Sequence, residues 1–340
     1  ILSRIPQNYK VDANETIGSP VGRFGRRLET TFSFVLAGKV ALERIGKAFQ
    51  RAGVENTHYV AGAVASAAVV ATEEEKESGV IVIDLGAGST DLCIIQNKVV
   101  RYVASIPVGA ASINNDIRSM AIPAGMIEKL KTKCGYATAS AIPADKLNAS
   151  ILIKARSAHQ KSKEIPYRDL TTIIEARMLD IIEFVNSEIR SSGYHNRLAS
   201  GIILTGGGSR LAGVDVLFKE RTGYDVRLGA AEGDISGESM EGTSAPELAT
   251  AIGLLSIGIA ESGIAPSDYS RKETREVTTP QPTPEEPTTT PEEREEKTPQ
   301  APTRDKQPQE KKKGGNFLGK MAKWFNEAVF GGDVVDDEMQ

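Results

Sequence analysis

The chain has 340 residues, 40% of them hydrophobic and 25% charged, with a formal net charge of −4, enough for one large or two medium domains with a substantial core. That balance argues against nucleic acid as a partner, because nucleic-acid-binding domains are normally basic. Cys93 and Cys134 lack metal or redox spacing, His58, His159 and His195 are scattered, no signal-peptide pattern opens the chain, and no apolar run reaches the roughly 18 residues that span a bilayer. A reducing compartment fits this cysteine usage.

Residues 1–30 are turn-rich, with one short strand near Tyr9–Val11. Thr30–Leu36 has the β-branched and aromatic mix of a strand. In Lys39–Ala52 the apolar residues Val40, Leu42, Ile45 and Phe49 stand close to helical spacing, and Gly53 stops the helix. His58–Val60 reads as a strand. Ala61–Thr72 reads as an Ala-rich helix, whose small side chains suit close packing against a neighbour.

Gly79–Ile83 is an apolar run that leads into Asp84, Gly86, Gly88, Ser89, Thr90 and Asp91, and Leu92–Ile95 follows at once. This predicts a strand, a tight glycine turn and an antiparallel return strand. Gly86 and Gly88 let the backbone approach a ligand. Consecutive N–H groups in such a turn form an anion-binding concavity, to which the Ser89 and Thr90 hydroxyls add donors. Asp84 and Asp91 can hold a hydrated cation. The same stretch also fits an ordinary hairpin with an Asp-rich turn.

Val99–Val108 continues as a strand, and Gly109–Ser112 opens a helix that runs through Arg118. Met126–Cys134 is a short helix with Glu128 and Lys131 on one face, which by itself reads as a solvated surface pair. Residues 135–168 alternate short apolar runs with charged patches, and Lys154, Arg156, Lys161, Lys163 and Arg168 make them basic. In Asp169–Ser192, Ile174, Met178, Ile181, Ile182, Val185 and Ile189 form one core-facing stripe. A strand at Gly201–Thr205 then meets Gly206, Gly207, Gly208, Ser209 and Arg210, three glycines that again bare the backbone. Ala245–Ile259 supplies a closing helix.

Residues 265–313 hold much Pro, Thr, Glu and Lys with hardly a large apolar side chain, and such a segment is expected to be disordered. As a flexible coil it spans roughly 40 Å. Beyond it, Phe317, Leu318, Met321, Trp324, Phe325, Ala328 and Val329 share an arc of roughly 140° on a helix, with Lys320, Lys323, Asn326 and Glu327 opposite. This predicts a helix lying in a membrane interface, each lysine adding about 1 kcal/mol toward anionic lipid. Docking into a protein groove is the other reading, and Gly319, Phe330 and the acidic end weaken the lipid pattern.

The two glycine turns, about 120 residues apart, suit a ligand held between them. On these stretches the chain resembles the actin, Hsp70 and sugar-kinase superfamily. Asp84–Asp91 is similar to its phosphate-2 loop and Leu204–Gly213 to its adenosine motif. Within that superfamily the chain resembles the FtsA family of bacterial cell-division actin homologues. The supporting stretches are Ile5–Tyr9, Ser19–Gly22, Gly62–Val70, Ile106–Ala110, Ile174–Arg177 and Ala251–Leu255. The resemblance covers roughly residues 1–260 and the character of the last thirty or so.

It implies an α/β, actin-like (ribonuclease H-like) ATPase fold with small inserted subdomains, then a disordered linker and a C-terminal amphipathic helix. In that pattern residues 1–30 end an inserted subdomain and 31–78 complete the first ATPase lobe. Residues 79–262 form the second lobe, with a small β-rich subdomain at about 119–168. A linker (263–313), a membrane-targeting helix (314–331) and an acidic tail (332–340) follow. The family's phosphate-1 loop is expected ahead of Ile1 in a longer protein, so this stretch should have weak ATPase activity at most and no catalytic residue of its own. The implied cofactors are ATP and Mg2+. The implied nucleotide-binding residues are Asp84, Gly86, Gly88, Ser89, Thr90, Gly109, Glu128, Lys131, Gly206, Gly207, Gly208 and Arg210, with Asp84 as the metal ligand.

Membrane contact would fall to Phe317, Leu318, Lys320, Met321, Lys323, Trp324, Phe325 and Ala328. The implied partners are the FtsZ C-terminal tail, met at the basic 135–168 region, further copies in an actin-like filament, anionic membrane lipids and other division proteins. The implied place is the cytoplasmic face of the membrane at the septum. A pilus-assembly actin homologue, a sugar kinase or an Hsp70-type ATPase would share the glycine loops. A sugar kinase needs a catalytic base for which no residue here stands out, and an Hsp70 would carry a β-sandwich where the linker stands.

Overall fold

A computed structural model describes residues 1–12, 14–16, 20–54, 57–153, 162–231 and 245–262. The expected linker, amphipathic helix and acidic tail lie outside them, as do Lys154, Arg156 and Lys161. Three antiparallel strands come first, β1 (Ser3–Val11), β2 (Asn14–Thr16) and β3 (Leu28–Val35), in the order β2-β1-β3. The helices α1 (Lys39–Arg51), α2 (Gly62–Val70) and α3 (Glu73–Ser78) follow. No strand forms at 58–60; a strand persists by pairing, and no neighbour pairs with these residues. The end of the expected Ala-rich helix is instead Thr72, which caps α3 in a reciprocal box with Glu75.

The centre is a five-stranded mixed sheet of β4 (Val80–Leu85), β5 (Thr90–Gln96), β6 (Val99–Ile106), β9 (Ile202–Thr205) and β10 (Val226–Leu228), in the order β10-β9-β4-β5-β6. The β4–β5–β6 meander is antiparallel, and β9 and β10 run parallel to β4. Between β6 and β10 come α4 (Ala111–Ile117), α5 (Ala124–Cys134), the ribbon β7–β8 (Ser150–Ile153, Lys163–Pro166), α6 (Tyr167–Ser191) and α7 (Val214–Thr222). Among the described residues, the region expected to be β-rich holds the helix α5, short 3-10 turns and the two-stranded ribbon. The chain closes on α8 (Ala249–Ser262).

Alternation along β4 sorts its side chains between two cores. Ile81, Ile83 and Leu85 join Ile113, Ile117, Phe218 and the α6 stripe on one face. Val80 and Val82 join Ala63, Ala67, Val70 and Ala249 on the other. With helices over both faces, β4 opens as an unbroken apolar run, Val80–Ile83, as a strand covered on both sides should. Every member of the α6 stripe predicted from its spacing is buried. By contrast α1 buries none of its residues, and Val40, Ile45 and Phe49 are exposed. No helix among the described residues is long and apolar enough to cross a membrane.

Candidate functional site

The β4–β5 turn and the β9–Gly206 turn open at the same end of the central sheet, because β4 and β9 run parallel and in register, with Asp84 beside Thr205. A cavity of about 470 Å³ lies there, lined by Ala87 of the first turn, by Gly207, Gly208 and Arg210 of the second, and by Glu128 and Lys131 of α5. Ala110, Ile113, Thr132, Met178, Leu211 and Glu247 complete its wall. Gly206 of the second turn does not line it, and nor do Gly86, Gly88, Ser89, Thr90, Gly109 and Asp84.

The last six occupy distinct positions around the first turn. The N–H groups of Ala87 and Gly88 find no acceptor among the described residues, and the place of a Gly88 Cβ is open space. The fold itself therefore does not demand glycine there, and two adjacent free N–H groups make a nest for an anion. Ser89 Oγ donates to Asp91 Oδ2 at 2.9 Å, and Ser105 Oγ donates to Asp91 Oδ1. Both Asp91 oxygens are thus engaged within the protein. Thr90 departs from expectation: it is fully buried and its hydroxyl donates to Val108 O at 2.7 Å. Its alternation on β5 turns it inward, where it pins the turn to the end of β6 instead of offering a donor to a ligand.

Gly109 holds the turn from behind. A Cβ there would stand 2.6 Å from the carbonyl oxygens of both Gly86 and Ala87. Ala110 and Ala111 donate their N–H groups to those same oxygens at 2.9 Å. The N–H groups of Ala110 and Ala111, where α4 opens, are consumed in clipping the loop, and Gly109 supports it from behind.

Asp84, at the end of β4, is held through one oxygen. Ser66 Oγ of α2 donates to Oδ2 at 2.6 Å and Thr250 Oγ1 of α8 donates to it at 2.7 Å. Oδ1 accepts no hydrogen bond among the described residues and lies where a Gly206 Cβ would be, 2.3 Å from that position. Gly206 has φ +81°, outside the ordinary range of residues with side chains.

Lys131 is no solvated surface lysine. Its side chain is only 11% exposed, with Nζ 2.9 Å from Glu128 Oε2, and it donates to Ala110 O at 3.2 Å. Burial pushes the Glu128 carboxyl up, but the Asn114 amide and the Lys131 ammonium outweigh it and hold the carboxyl below its ordinary range. Across the cavity Arg210 Nη1 meets Glu247 Oε1 at 2.6 Å, both side chains more exposed than that of Lys131. Glu247, Ser66 and Thr250 escaped the sequence reading. They sit in the short turn before α8 and in the small-residue helices, where no motif marks them.

A family model described as cell division protein FtsA matches residues 81–253, and one described as the SHS2 domain inserted in FtsA matches residues 1–36. The chain is 32% identical over 285 residues to the cell division protein FtsA of Pseudomonas aeruginosa, covering 80% of this chain and 66% of that protein. It is 31% identical over 257 residues to that of Neisseria meningitidis (75% and 61%) and 29% identical over 266 residues to that of Escherichia coli K12 (76% and 62%). The chain spans about three fifths to two thirds of the length of these curated relatives. Among solved structures it is similar to MreB5 of Spiroplasma citri bound to ADP, with a TM-score of 0.54 at 18% identity over 67% of this chain and 69% of that one. It is also similar to a chain of the PilM-PilN type IV pilus biogenesis complex, with a TM-score of 0.51 at 17% identity over 76% and 66%. The fold is actin-like, and the chain belongs to the FtsA family of cell division proteins.

Proposed function

We propose that this chain binds ATP with Mg2+ between its two glycine turns and serves bacterial division as an actin-like membrane tether for FtsZ filaments. The observation that carries the nucleotide reading is the cavity itself. Two glycine turns far apart in sequence and a nearly buried lysine meet around it, beside a nest of N–H groups with no acceptor among the described residues. The adenosine end of the ligand would lie among Glu128, Lys131, Gly207, Gly208 and Arg210. The phosphates would reach toward Ala87, Gly88 and Ser89.

The residues present fit a hard divalent cation. A magnesium ion beside phosphates needs only one or two protein carboxylates, and Asp84 offers an oxygen with no protein donor on it. When bound, the cation would neutralise phosphate charge. This chain's own residues would position the phosphates and keep the Asp84 carboxylate aimed.

Membrane attachment rests on the sequence of 314–331, with Trp324 and Phe325 on one face and Lys320 and Lys323 on the other. Anchoring of FtsZ, recruitment of other division proteins, self-assembly and the septal, cytoplasmic-face location rest on family membership. Co-sedimentation with anionic vesicles tests the tether, comparing the chain with a version ending at Lys313, each with and without FtsZ. The intact chain should pellet and carry FtsZ with it, while the shortened chain should leave both in solution. Equal pelleting of the two versions, or pelleting without FtsZ, would remove the tether reading and leave nucleotide binding standing.

A further inference from the structure

Two hydroxyls from two different helices converge on one carboxylate oxygen of Asp84, Oδ2. Ser66 Oγ and Thr250 Oγ1 lie 2.6 and 2.7 Å from Oδ2, and 2.8 Å from each other. Three short contacts share two hydroxyl protons. The carboxylate is the strongest acceptor of the three, so both protons go to Oδ2. That leaves Oδ1 as the carboxylate oxygen of Asp84 with no hydrogen-bond donor among the described residues, set against Gly206 at the start of the second turn.

The helices that carry these hydroxyls are locked together. A Cβ on Gly253 of α8 would stand 1.9 Å from the carbonyl oxygen of Ala65 in α2, so the two backbones touch one residue away from Ser66. The close packing fixes the Cα positions from which both hydroxyls reach Oδ2.

Resting on the nucleotide–magnesium reading above, we propose that Ser66 and Thr250 are positioning residues that commit Asp84 Oδ1 to a divalent cation at the phosphates. Partners that orient a ligating carboxylate typically cost about 10- to 100-fold in metal affinity when removed. They act on the cation and not on the nucleoside, so their effect is confined to the metal-dependent part of binding.

The test measures ADP affinity of the whole chain in Mg2+ and in EDTA, with melting temperature followed for each protein. Ser66→Ala and Thr250→Val, which lose the hydroxyls, should shrink the Mg2+ advantage by about tenfold or more while leaving the EDTA affinity within about twofold. Thr250→Ser, which keeps a hydroxyl, should retain the full advantage. An unchanged Mg2+ advantage in both hydroxyl-free variants would overturn the proposal, as would an equal loss with and without metal. Parent chain that binds ADP with no Mg2+ advantage would also overturn it while sparing the nucleotide site. Parent chain that fails to bind ADP at all would sink the nucleotide reading and this inference together.

Discussion

At the scale of single residues, the site is defined by which glycines the fold needs and which it does not. Gly206 is needed: its φ of +81° and the 2.3 Å approach to Asp84 Oδ1 leave no room for a side chain. Gly206→Ala is predicted to destabilise the chain by about 2–4 kcal/mol through strain and clash combined, read as a drop in melting temperature with or without nucleotide. Lys131 is the other residue with a sharp expectation, because its ammonium is nearly buried and holds both Glu128 and the Ala110 carbonyl. Lys131→Ala should weaken nucleotide binding by about tenfold, the scale of one charge-assisted hydrogen bond, checked by titration. The glycine turns and Asp84 stood out in the sequence from their place after apolar runs, whereas Glu128 and Lys131 entered only through the family resemblance, since a Glu–Lys pair on a helix by itself reads as solvated. Thr90 was misread because its hydroxyl is polar on paper, yet its register on β5 places it in the interior. Ser66 and Thr250 were not legible, since a hydroxyl in an Ala-rich helix carries no signal until the helix it crosses is known.

At the scale of elements, α3 and β10 are joined by one ion pair. Arg227 reaches both Glu75 oxygens, at 2.6 and 2.7 Å, while Glu75 also caps Thr72. The Arg227 guanidinium holds the Glu75 carboxyl down from 4.5 to about 2, against a burial penalty, with the Thr72 N–H assisting. A carboxyl depressed in the folded state contributes stability that is full above its unfolded value and is lost as pH falls from about 4.5 toward 2. Glu75→Gln should lower stability at neutral pH by about 1–3 kcal/mol and flatten its dependence across that window, measured by denaturant unfolding at a series of pH values. The contact between α2 and α8 is equally specific. Gly253→Ala must push the helices apart, at a cost of about 1–3 kcal/mol, and should also disturb Asp84, visible as a weaker Mg2+ response in nucleotide binding. The α6 stripe and the β4 run were readable because periodicity reports burial directly. The strand expected at 58–60 failed for the opposite reason, since pairing is a long-range property that a three-residue β-rich run does not encode.

At the scale of the whole molecule, the central sheet order β10-β9-β4-β5-β6 brings the first and second glycine turns together, and family membership supplies the setting in cell division. The pairing of those two turns was legible in the sequence because each follows a buried-type strand. What the sequence did not carry was the lining between them, Ile113, Met178 and Glu247, whose residue types are common in any core or surface. The most direct measurement is a calorimetric titration of ATP with Mg2+ into the chain and into Gly207→Val, with melting temperatures recorded alongside. The nearest atom to a Cβ on Gly207 is 3.9 Å away, so the side chain starts in open space on the cavity wall, where its branched end would compete with a ligand, and the melting temperature reports whether the fold accepts it. Saturable one-site binding by the parent, lost in Gly207→Val with its melting temperature kept, is the predicted result. No binding by the parent, or equal binding by a folded Gly207→Val, would contradict the nucleotide site.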